Sequence, residues 1–201
     1  MSEKDEKNVV PKKNSFELSK VKFLKGGGLD VHYNVTEVID DESYTNKYHV
    51  ESAKDVHPDL IELFVRIKPI LARVFNITSF LTCISTDDFK ANKMQKEIAE
   101  DFAKEMMNNI EVRGISLSGK DDNVGVIITG LFTTYNNQKT CINSPRIKLS
   151  VESFGFEEEL EEIVTEIEEE VYDFLFKGKK AQLELFGQNV NIDDEVEIPE
   201  L

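Results

Sequence analysis

Apolar and polar residues alternate along the first ordered stretch of the chain. In VKFLKGGGLDVHYNVTEVI, lysines flank Val21 and Phe23, and Val31, Tyr33 and Val35 alternate with His32, Asn34 and Thr36. A period of two is that of a strand with one buried face. Gly26–Gly27–Gly28 between the two runs predicts a hairpin turn with a positive φ, which glycine adopts without steric cost. A phosphate-cradling loop would need a helix N-terminus after the glycines, and a strand pattern follows instead. A second turn over IDDESYTN leads into KYHVES, read as a third strand.

The period then changes. In HPDLIELFVRIKPILARVF, the residues Leu60, Ile61, Phe64, Ile67, Ile70, Leu71 and Val74 fall on one helical stripe. Pro58 suits the first turn of that helix, and Pro69 predicts a kink or an end to its first part. Residues 76–109 read as a helical insertion, with Thr86 or Asp87 as cap and Phe89, Met94, Ile98, Phe102 and Met106 as its apolar positions.

The second half follows the first in outline. VRGISLSG is a predicted strand, KDDN a turn, VGVIITGLFTTY a longer strand, NNQK a turn and TCINSPRIKLS an extended segment. FEEELEEIVTEIEEEVYDFLF then places Leu160, Ile163, Val164, Ile167, Val171, Phe174 and Leu175 on one helical face. The predicted class is α+β: an antiparallel sheet with helices packed on one face, arranged as a pseudo-repeat of a strand–strand–strand–helix unit. By element order alone, the alternative is an architecture like that of sliding clamps. The predicted organisation is an N-terminal tail over residues 1–19, one α+β domain over 20–180 and an acidic C-terminal tail over 181–201.

Charge changes this picture at one end. The 201 residues carry a net charge of −15, and residues 151–201 hold 17 of the 39 acidic but only 3 of the 24 basic side chains. The body is nearly neutral, and an acidic end repels nucleic acid, so strong direct binding of DNA or RNA is not expected. Glutamates in the last predicted helix form a solvated face, and those in its first turn complement the helix dipole. A sharper reading takes Glu158, Glu161, Glu162, Glu166, Glu169 and Glu170 as a decoy for a DNA backbone. No apolar run approaches the ~18 residues of a membrane-crossing helix, and the charged N-terminus is unlike a secretory signal. The two cysteines, Cys83 and Cys141, lack metal-type spacing and suit a reducing cytoplasm.

Candidate chemistry is sparse. His32, His49 and His57 match no metal-binding or nucleophilic motif, and no Walker-type loop occurs. The expectation is a protein that is not an enzyme, with no catalytic residue, cofactor or metal. A small-molecule module around the glycine hairpin and His32 is a further reading.

The informative motif is QLELF, in KKAQLELFGQ. It resembles the pentapeptide by which bacterial replication and repair proteins dock on the DNA polymerase III sliding clamp. The resemblance implies that Gln182, Leu183, Leu185 and Phe186 bind the partner, with Gln182 hydrogen-bonding at a pocket rim and Leu185 and Phe186 filling an apolar hole. Glu184 takes the place where aspartate or serine is commoner. The end of the chain, NIDDEVEIPEL, is similar to the acidic tip of bacterial single-stranded DNA-binding proteins at Asp193, Asp194, Ile198 and Pro199. Glu200 and Leu201 depart from that tip.

HPDLIELFVRIKPILARVF, VRGISLSGKDDNVGVIITG and VYDFLFKGKKAQLELF together resemble an uncharacterised protein family of tailed bacteriophages, of the early, DNA-metabolism type. The resemblance implies a setting, the cytoplasm of a bacterial host cell. The expected function is therefore a non-enzymatic phage accessory protein of DNA replication or recombination, recruited to the host sliding clamp. The alternative is an anti-defence protein that sequesters a host factor on its acidic helix.

Overall fold

The computed structural model describes residues 11–75, 107–151 and 155–179. Their strands are β1 (Phe16–Phe23), β2 (Leu29–Ile39), β3 (Glu42–Ser52), β4 (Ile110–Ser118), β5 (Gly125–Thr133), β6 (Lys139–Asn143) and β7 (Ile147–Lys148). The two helices are α1 (Pro58–Val74) and α2 (Glu157–Tyr172), and α2 continues into a π-helical turn, Asp173–Lys177. The predicted tail and insertion fall largely outside the described residues, as does all of QLELF.

All seven strands form one antiparallel sheet in the order β3–β2–β1–β4–β5–β6, with β7 also beside β5. The α+β class is the predicted one. Inward residues of the strands, among them Val21, Val31, Ile115, Val126 and Ile128, join Leu60, Ile67, Leu160 and Ile167 of the helices in one core. Among the described residues, both helices lie on that face of the sheet, and the other is the open face.

Each turn has a local cause. Gly27 takes a φ of 93° between β1 and β2, as the glycine run predicts. Asp40 and Asp41, with φ of 52° and 64°, close β2 onto β3 in a two-residue hairpin. β3 consequently begins at Glu42, earlier than the predicted KYHVES strand, and pairs with β2 over its whole length. Between β6 and β7 the edge is interrupted at Ser144–Pro145. There Ser144 continues the ladder, its N–H donating to the Ile128 carbonyl and its Oγ accepting from the Ile128 N–H, both at 2.9 Å. A proline at this sheet edge removes no ladder bond from a central strand.

β1 begins at Phe16, ahead of the boundary drawn at residue 20. Phe16 is held in an aromatic cluster with Tyr33, Tyr172 and Phe176, at centroid separations of 5.1, 5.5 and 5.9 Å. The Tyr172 hydroxyl donates to the Pro11 carbonyl at 2.6 Å, so the last turn of α2 fastens the start of the described chain.

His57 caps α1, its Nδ1 accepting the Asp59 N–H at 3.3 Å, with Pro58 in the first turn. Pro69 does not end this helix. Ile67 before it and Ile70, Leu71 and Ala72 after it are all fully buried, and that packing outweighs the missing hydrogen bond. Ile61, expected on the buried stripe, is exposed, and Leu63 is buried in its stead. Truncating Ile67 to Ala should destabilise the fold by ~2–4 kcal/mol through lost burial and a cavity. Val65→Ala, at a position 59% exposed, should change it by less than ~0.5 kcal/mol. Urea denaturation of the two variants measures both.

Candidate functional site

The antiparallel register of β2 and β3 assembles a polar group on the open face of the sheet. Asp30 pairs with Glu51 and His32 with His49. Because side chains alternate along a strand, Asp30 and His32 share one face of β2, and His49 and Glu51 share that face of β3. Lys20 of β1 is the cross-strand neighbour of His32 on the other side.

The contacts within this group are short. His49 Nε2 lies 2.9 Å and His32 Nε2 3.2 Å from the same oxygen, Asp30 Oδ1. Lys20 Nζ donates to the other oxygen, Oδ2, at 2.8 Å, and lies 3.4 Å from His32 Nε2. Glu51 Oε1 is 3.8 Å from His49 Nε2. The two imidazoles stack at 4.1 Å with planes 12° apart. Burial opposes ionisation of Asp30, but hydrogen bonds from Lys20 and His49 outweigh it and hold the carboxyl below its ordinary range. Sequence reading placed His32 and His49 in strands without joining them. The signal was Asp-x-His on one strand facing His-x-Glu on the next, visible once the turn fixes the register.

A second group, His57, Asp59 and Glu170, is similar in composition. It already holds a cation: Lys179 Nζ lies 2.8 Å from Asp59 Oδ2 and 2.7 Å from Glu170 Oε2. These hydrogen bonds raise the Lys179 ammonium above its ordinary range, and Lys179 in turn lowers Asp59. The group is an ion-pair lock between α1 and the end of α2.

Of the six candidate decoy carboxylates on α2, three face cations of the chain itself. Glu166 meets Arg66 and Glu169 meets Lys13, each at 2.7 Å, and Glu170 belongs to the lock just described. Glu158, Glu161 and Glu162 are exposed. Glu168, absent from that set, reaches β1 and accepts the Leu18 N–H at 2.8 Å. At the other end of the sheet, a cleft of about 560 Å³ lies between apolar walls that include Phe23, Phe64 and Val65. Arg113 lines it, with a buried Nε that has no hydrogen-bond partner among the described residues. Gln182, Leu183, Leu185 and Phe186 lie outside the described residues.

Comparison of the chain with protein-family models, with curated proteins and with solved structures finds no match. No described helix is long and apolar enough to cross a membrane.

Glu168 supplies a test of how α2 is seated. Burial pushes its carboxyl above the ordinary range, so the folded state holds the proton more tightly than the unfolded one. Stability from this group is greatest at low pH and falls as pH rises through that raised range. Glu168→Gln keeps an acceptor for Leu18 without the charge. It should equal or exceed the parent in melting temperature at neutral pH, the difference vanishing as pH falls and the parent's carboxyl protonates. Glu168→Leu strands the Leu18 N–H and should cost ~1–3 kcal/mol. Thermal melts between acid and neutral pH check both.

Proposed function

We propose that this chain is a non-enzymatic accessory protein of DNA replication or recombination, encoded by a tailed bacteriophage. In this reading it is recruited to the host DNA polymerase sliding clamp through Gln182–Phe186. The observation that carries the reading is the QLELF pentapeptide and its place beside a firmly seated end of the fold. The π-helical turn Asp173–Lys177 ends at Gly178, and the next residue, Lys179, is fastened to both Asp59 and Glu170. Gln182 follows three residues later. A docking peptide attached so close to an anchored point carries the whole body to its partner.

The decoy reading draws less support. A DNA mimic needs its carboxylates unpaired and facing outward, whereas Glu166, Glu169 and Glu170 face Arg66, Lys13 and Lys179. Charge that neutralises neighbouring elements of the same chain is a reason for α2 to be acidic without any external partner.

Immobilised bacterial sliding clamp should retain the full-length protein. The Leu185→Ala/Phe186→Ala variant should bind roughly tenfold more weakly or worse, since truncating anchor residues costs ~2 kcal/mol or more. Equal retention of both proteins, or retention of neither, refutes the reading.

A further inference from the structure

The geometry points to a divalent transition-metal site on the open face of the sheet, formed by Asp30, His32 and His49 with Glu51 at its rim. The donor set is two imidazoles and one or two carboxylates, a combination that suits Zn²⁺ and its first-row neighbours. One donor atom from each of Asp30, His32 and His49 lies within 4.8 Å of the other two. Bonds of ~2.0–2.1 Å at tetrahedral or octahedral angles separate neighbouring ligand atoms by ~2.9–3.4 Å. The separations of Asp30 Oδ1 from His49 Nε2 and His32 Nε2, 2.9 and 3.2 Å, already lie in that range.

Strand pairing does most of the assembly. Asp30 and His32 are two residues apart on β2, and their cross-strand partners Glu51 and His49 are two apart on β3. The backbone ladder thus holds a two-by-two array, and ligand binding has only side-chain rotamers to order. From the stacked arrangement the two rings must splay by rotation of their side chains to aim both Nε2 lone pairs at one ion. Lys20 sits on Asp30 Oδ2, while both imidazoles approach Oδ1, and can orient the carboxylate from there as an outer partner. Its weaker approach to His32 Nε2, at 3.4 Å, is the contact an ion would displace.

A bound ion would join β2 to β3, an edge strand of the sheet. Among the described residues, Lys179 bridges both carboxylates of the rival cluster, Asp59 and Glu170, whereas Lys20 on the open face takes only Oδ2 of Asp30 and leaves Oδ1 to the two imidazoles, which favours the open face. The inference is independent of the clamp reading, since no residue is common to the two.

Zn²⁺ titration of the full-length protein by calorimetry tests the site, with His32→Ala/His49→Ala and His57→Ala variants alongside. The first two side chains are 39% and 50% exposed, so the double variant should retain the parent's circular dichroism and urea midpoint without metal. The expected result is one equivalent of Zn²⁺ that raises the melting temperature of the parent and of His57→Ala. In the double variant that equivalent should weaken by roughly tenfold or more, with the temperature shift lost. Absence of Zn²⁺ binding by the parent, or undiminished binding by the double variant, overturns the inference. So does a loss confined to His57→Ala.

Discussion

The structure depends on a short seam of backbone between β1 and β4. Three cross-strand pairs, Lys20 with Ser116, Val21 with Ile115 and Lys22 with Gly114, join the β1–β3 meander to the β4–β6 meander. Gly114 makes the approach possible: a Cβ there would lie 2.5 Å from the Val21 carbonyl oxygen, too close for any side chain. Val21 and Ile115 face the core on the other side of the seam, where both are buried. With the seam closed, α1 and α2 have one continuous apolar floor, and each helix buries a full stripe instead of an edge.

The seam also decides what the open face carries. Phe16, Leu18 and Val21 all point inward, which strict alternation from Phe16 would not allow. A bulge between Leu18 and Lys20 shifts the phase by one residue. Lys20 thereby turns outward, opposite His32, and meets Asp30. On the helical side, cations set the orientation of the acidic helix. Arg66 and Lys179 tie α2 to α1, Lys13 ties it to the chain before β1, and Lys13 and Arg66 are themselves substantially exposed. Exposed pairs of this kind contribute little stability each, so hydrophobic burial carries the weight and the ion pairs fix register.

The α+β class was legible because the apolar period changes twice from two to 3.6, and both helical stripes are long. β3 was legible only in part. Most of its residues are exposed, so no alternation marks its start, and its turn is Asp40–Asp41 where a glycine pair would have been a clearer signal. The histidine group was hidden for the same reason. Residues 30, 32, 49 and 51 lie equally far from the Asp40–Asp41 turn in pairs, but only a located turn makes that spacing meaningful. Pro69 does not end α1, because local backbone preference is outweighed by tertiary burial on both sides of it. QLELF is legible as a peptide of defined chemistry, and its reading rests on composition and position.

The chain thus combines a sheet-and-helix body and an open face with a cross-strand histidine pair, and the QLELF motif proposed as a docking peptide follows the described residues in sequence. The first two depend on the β1–β4 seam being the joint that makes one cooperative unit of two meanders. Native-state amide exchange on Gly114→Val tests that dependence most directly. The valine side chain should force the two backbones apart, and protection should then fall together in β1–β3, β4–β6 and both helices. Retained protection in one meander while the other exchanges freely would show two independently stable halves, and would contradict the account.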